Sequence, residues 1–167
     1  MKDGDIMREE VSIQDNKYKF KFRVSGLIKH DDKILFVEMD DSGFWCLPGG
    51  HVELGENTEE AMIREINEEV LLDTKIAKYL GIVENFFVNK RNFNIHEICF
   101  YYLLEPKDKK YNIKDFTRIE NDKGTDVKLN FKWFSINDIE KVNIKPFFLK
   151  ELLKKDNLEF KHLITKD

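Results

Sequence analysis

The chain has 167 residues, 41% of them hydrophobic and 13% aromatic, with 32 acids against 28 lysines and arginines for a net charge of −4. That is enough for one domain with a real core and too short for two ordinary ones, and the composition excludes a disordered polypeptide. The slightly acidic, well-mixed charge argues against nonspecific nucleic-acid binding, which needs a basic field, and the absence of a twenty-residue apolar run argues against a membrane span.

Residues Met1 to Asn16 are polar and weakly patterned, either a poorly ordered tail or a first strand, and they carry no hydrophobic signal region. Tyr18, Phe20, Phe22 and Val24 alternate with Lys19, Lys21 and Arg23, which predicts a half-buried strand continuing through Gly26, Leu27 and Ile28. A turn at His30 to Lys33 returns the chain as a second strand over Ile34 to Met39. A second turn spans Asp40 to Gly43. Trp45 to Leu47 reads as a short strand entering the loop Leu47-Pro48-Gly49-Gly50.

Asn57, with Glu60 three residues on, predicts a capping box at the start of a helix. On that helix Met62, Ile63, Ile66 and Val70 make an apolar stripe. Glu65, Glu68 and Glu69 fall in a separate sector of roughly 100°, because spacings of three and four bring side chains together. Carboxylates so close repel one another unless a cation sits among them, and oxygen ligands suit a hard divalent ion such as Mg²⁺ or Mn²⁺. The competing reading is a solvated acidic helix face.

Beyond the helix, Tyr79 to Val88 and Ile95 to Leu104 predict two strands joined by the polar loop Asn89 to Asn92. Pro106 to Asp126 is charged and irregular and reads as a mobile insert. Val127 to Phe134 alternates as a strand. Ser135 and Asp138 mark the cap of a short helix, and Pro146 opens another containing Phe147, Phe148, Leu149, Leu152 and Leu153. Strands on both sides of one helix, with more helices at the end, suit a mixed sheet covered on both faces. Cys46 and Cys99 sit among apolar neighbours and read as buried free thiols. The expected protein is soluble and cytoplasmic, one domain over residues 1–167.

Residues Gly50 to Leu72 give the sharpest signal. Gly50, Glu56, Arg64, Glu65, Ile66, Glu68, Glu69 and Leu72 stand where the Nudix hydrolase signature requires Gly, Glu, Arg-Glu, an aliphatic, Glu-Glu and a final aliphatic, in fixed register. The chain therefore resembles that family, with one departure: Leu71 replaces the signature's last glycine. Phe44 to Gly50 upstream and Lys132 to Ser135 downstream extend the resemblance over roughly residues 20 to 150.

The resemblance implies an α/β (α+β) fold, an α/β/α sandwich on a mixed central sheet. It implies metal-dependent hydrolysis of the diphosphate linkage in a nucleoside diphosphate-X substrate, by water attack on phosphorus. Glu65, Glu68 and Glu69, with the Gly49 backbone carbonyl, would hold Mg²⁺ or Mn²⁺. Arg64 would fix a neighbouring carboxylate, with Glu56 as its partner. Glu65, Glu97, Glu120 and Asp126 are candidate bases. Lys90, Arg91, Phe86, Phe87, Phe93, His51 and His96 are candidate substrate contacts, each with a structural alternative as solvated loop, core ring or surface histidine. A homodimer is compatible with the resemblance. The alternative function is a catalytically silent Nudix-like domain that binds a nucleotide or regulates; such domains usually lose signature glutamates, and this chain keeps them all. A left-handed backbone at Leu71 would be strained, so the helix is expected to run on past Leu71 towards Asp73, or to end without such a cap.

Overall fold

The strand alternation that starts at Tyr18 continues in the computed structural model for 13 residues, to His30 (β2, Tyr18–His30). This long strand is the centre of the architecture. The structure describes residues 9–108, 110–111, 113–122 and 124–166, excepting the side chain of residue 122. The remaining elements are β1 (Ser12–Gln14), β3 (Lys33–Met39), α1 (Thr58–Glu69), β4 (Thr74–Val88), β5 (Asn94–Pro106), β6 (Phe116–Asp122), β7 (Thr125–Ser135), a 3₁₀ turn (Ile136–Lys141), α2 (Phe148–Leu153) and β8 (His162–Lys166).

The strands form one mixed sheet in the order β6-β7-β3-β2-β5-β4-β8, with β1 added to β2. β2–β5 and β4–β8 are parallel and the other pairs antiparallel. Each face has its own core. On one, Ala61, Met62 and Ile66 of α1 pack with Val24, Ile28, Tyr102 and Leu104. On the other, Leu149, Leu152 and Leu153 of α2 pack with Leu27, Val83, Cys99 and Tyr101. This is the expected sandwich. Among the described residues no helix is long and apolar enough to cross a membrane.

The expected caps are present. Asn57 accepts from the Glu59 and Glu60 N–H groups, and Glu60 accepts in return from the Asn57 N–H. The Ser135 hydroxyl accepts from the Asn137 N–H at the start of the 3₁₀ turn. The first sixteen residues divide: Met1 to Arg8 lie outside the described residues, and Ser12–Gln14 forms β1. Cys46 and Cys99 form no disulfide.

Several expectations need correction. Pro106 to Asp126 is not an irregular insert throughout, because Phe116–Asp122 pairs with β7 as a hairpin. The Phe116 ring stacks on Phe131 with centroids 4.6 Å apart. Its inward neighbour two residues on is Arg118 rather than an apolar residue, so the period-2 signal was missing. Trp45 to Leu47 makes only single bridges, Cys46 to Val37 and Trp45 to Ile144. β4 begins at Thr74, five residues before the expected start. β8 had no expectation at all.

The largest correction is at Leu71. The helix ends at Glu69 with Val70 as its cap, and Leu71 takes φ +55°. The left-handed turn usually made by glycine is kept by a leucine whose side chain is 74% exposed. The chain must reverse within four residues to enter β4 at Thr74, so the turn survives at a cost in backbone strain.

Candidate active site

The glycine loop lies along the edge of β2. Gly26 N–H donates to Pro48 O (2.9 Å), Val24 N–H to Gly50 O (3.0 Å) and Val52 N–H to Phe22 O (3.0 Å). Gly49 has φ +146°, and a Cβ there would lie 2.2 Å from Val24 O, so no other residue allows this approach. The loop then delivers the chain to Asn57 and α1.

Arg64 joins loop and helix. Its Nε and one terminal nitrogen grip both oxygens of Glu56 at 2.8 and 2.9 Å, a bidentate pair. The same terminal nitrogen donates to His51 O (2.9 Å). The other reaches Glu65 (2.9 Å) and Glu68 (3.1 Å). The Glu56 side chain is almost completely buried, and it also accepts from the Glu53 N–H. The arrangement expected of Arg64 and Glu56 is thus present.

Glu65 and Glu69 sit one turn apart on the inner side of α1. Glu69 accepts from the Gly49 N–H at 3.2 Å. Burial pushes the Glu69 carboxyl up to about 8, and the charge of Glu65 adds to the effect. Burial also raises Glu65, against the pull of Arg64. Glu68 is more open, with its side chain 55% exposed. Beneath the loop Arg23 donates to Gly49 O at 2.8 Å and stands 3.6 Å from the buried Glu97.

These acids fit a divalent cation. Burial desolvates both carboxylates, the charge of Glu65 adds to the proton affinity of Glu69 and that of Glu68 to Glu65, and positive charge would relieve that cost. Among the described residues no three side chains already converge as a finished cage. Glu68 would have to turn from Arg64, and the Gly49 carbonyl is shared with Arg23.

The other candidates separate. Glu97 is paired to Arg23. Glu120, exposed on β6, is near enough for its charge to add to those raising Glu69. Asp126 accepts from Asn121 in the β6–β7 turn. Lys90 and Arg91 are in the exposed turn of the β4–β5 hairpin, where Asn89 accepts from the Arg91 and Phe93 N–H groups. Phe86 stacks on His96 with centroids 4.5 Å apart. Phe20 of β2 also meets His96, edge-on with centroids 5.4 Å apart, so Phe86 belongs to a row of rings across neighbouring strands. His51 lies 3.6 Å from Glu10.

Two arginines escaped the sequence reading. Arg23 was the third cation of an alternating strand and looked like its solvent side. Arg118 stands in the segment read as irregular. It donates to the carbonyl oxygens of Glu68 and, at 2.8 Å, of Glu69.

Comparison with known proteins identifies the family and the fold. A family model described as the NUDIX domain matches residues 19–155. A curated ADP-ribose pyrophosphatase from Methanocaldococcus jannaschii is 38% identical over 85 residues, covering 49% of this chain and 48% of that protein. An m7GpppN-mRNA hydrolase from Saccharomyces cerevisiae is 27% identical over 169 aligned positions, 95% of this chain and 16% of that protein. The chain thus spans less than half the length of these two relatives. Among solved structures, a MutT protein from Bacillus halodurans superposes with a TM-score of 0.56 at 16% identity, over 85% of this chain and 89% of that one.

Proposed function

We propose, from the premise that this chain belongs to the NUDIX family, that it hydrolyses the diphosphate linkage of a nucleoside diphosphate derivative with Mg²⁺ or Mn²⁺. The observation that carries this reading is the desolvated pair Glu65 and Glu69, held against the glycine loop beside the Arg64–Glu56 lock.

Glu65 and Glu69, with Glu68 and the Gly49 carbonyl, are the residues that would hold the cation. A cation bound there would neutralise the diphosphate charge and lower the pKa of the attacking water. The residues of this chain provide the rest. Arg64 keeps Glu65 in place and ties α1 to the loop. Arg23 orients the Gly49 carbonyl. Water forms a bond to phosphorus, its proton passes to a carboxylate, and the anhydride P–O bond breaks with its electron pair left on the departing phosphate oxygen. Glu120 is the better candidate than Glu97 for that proton, because its exposed carboxylate lies within electrostatic reach of Glu69 while Glu97 is buried and engaged by Arg23. ADP-ribose is the first substrate to try, since the M. jannaschii relative carries that activity in its name.

The test is a screen of ADP-ribose, nucleotide sugars, dinucleoside polyphosphates and ordinary and oxidised nucleoside triphosphates with Mg²⁺ and Mn²⁺, run on the wild type and on Glu69→Gln. Metal-dependent turnover lost in the variant is expected. Binding without cleavage across the panel would instead support a silent nucleotide-binding domain.

A further inference from the structure

We propose that Arg118 is a positioning residue for the acid cluster, capping the C-terminus of α1 from a different element. The proposal rests on the metal-site reading above. The last four carbonyls of a helix lack intrahelical partners. Here the last turn of α1 holds no basic residue, and the turn that follows is made by Leu71 rather than glycine. The Arg118 guanidinium donates to Glu68 O and Glu69 O, about fifty positions away in sequence. It satisfies two of those carbonyls and brings positive charge to the negative end of the helix dipole.

The two capped carbonyls belong to the residues that carry the carboxylates. A shift of this backbone moves Glu68 and Glu69 together. Arg118 is itself held firmly. Its strand partner is Leu129, buried in the α1 core, and Phe116, two residues earlier, is stacked on Phe131. The β6–β7 hairpin thus serves as a brace between the sheet and the acid-bearing end of α1. The same strand carries Glu120 two residues on, on the same side, so a shift of the brace moves Glu120 as well.

The test compares wild type, Arg118→Gln and Arg118→Lys by Mn²⁺ titration calorimetry and by the thermal midpoint in chelator. Arg118→Gln is expected to weaken Mn²⁺ binding about ten-fold, while the chelated protein stays folded; such a factor is at the lower end of the range that supporting residues around a metal have. Arg118→Lys, which keeps the charge and N–H donors but not the planar fork, should recover part of it. The KM for the nucleotide, measured at saturating Mn²⁺, should stay within about two-fold. A lowered midpoint with unchanged Mn²⁺ affinity would overturn the proposal and leave Arg118 a stability residue only. Failure of the wild type to bind Mn²⁺ would overturn the metal-site reading itself, and the proposal with it.

Discussion

Gly50 and Glu65 occupy one space: a Cβ added to Gly50 would stand 2.2 Å from the carboxyl carbon of Glu65. Gly50 is not among the residues with positive φ, so alanine meets no backbone obstacle there. The three atoms nearest to the added methyl all belong to the end of one flexible side chain, and that end is an acid of the site. Gly50→Ala therefore separates folding from function. Its thermal midpoint in chelator should fall by no more than a few degrees, while turnover drops at least ten-fold, roughly, since small misplacements of catalytic groups are costly. Turnover at the wild-type level would mean that the position of Glu65 does not matter to the chemistry.

Leu71 gives a prediction of the opposite sign. Its left-handed conformation costs about 1–2 kcal/mol relative to glycine, and its exposed side chain contributes little by burial. Leu71→Gly removes the strain but adds about 0.5–1 kcal/mol of unfolded-chain entropy. The net expectation is a gain of between zero and about 1.5 kcal/mol, or a midpoint higher by up to about 3–6 °C for a chain of this size. Turnover should stay within a few-fold of wild type, because Arg118 still holds the helix end. A lower midpoint in a thermal melt would show that Leu71 contributes more by packing than it costs in strain.

Lys21 predicts a pH dependence. Burial, followed by the like charge of Arg23, lowers its ammonium from 10.5 to about 8. Between those values the unfolded chain holds the proton and the folded chain does not, so stability from this group rises with pH. Below about 8 the cost of the buried charge is fully present. Lys21→Met should therefore raise the midpoint at pH 7, and the gain should shrink towards pH 10. Thermal melts at the two pH values check this; an equal gain at both would assign the effect to packing.

Much of this molecule was legible in the sequence, and the rest was hidden for physical reasons. The α1 stripe of Met62 and Ile66, the Asn57–Glu60 cap and the alternation from Tyr18 to Val24 are local patterns that a chain displays without its fold. The Arg64–Glu56 pair was legible because the signature spacing carries it. Arg23 and Arg118 were not, since each acts on backbone carbonyls supplied by a distant element, and no local pattern marks such a donor. β6 was hidden because one side meets solvent and the other meets the polar end of a helix. Leu71 shows how a local rule can mislead. The αL penalty was real, but the reversal from α1 into β4 required the turn anyway.

The most direct test of the central claim is the Mn²⁺-induced shift in thermal midpoint of wild type beside Glu65→Gln and Glu69→Gln. Binding to the folded state alone should add about 2.7 kcal/mol at a hundredfold excess of Mn²⁺ over its dissociation constant, a rise on the order of 5–10 °C. Both variants should lose most of that rise at the same Mn²⁺ concentration while remaining folded in chelator. An equal rise in all three proteins would place the cation away from Glu65 and Glu69 and would contradict the account.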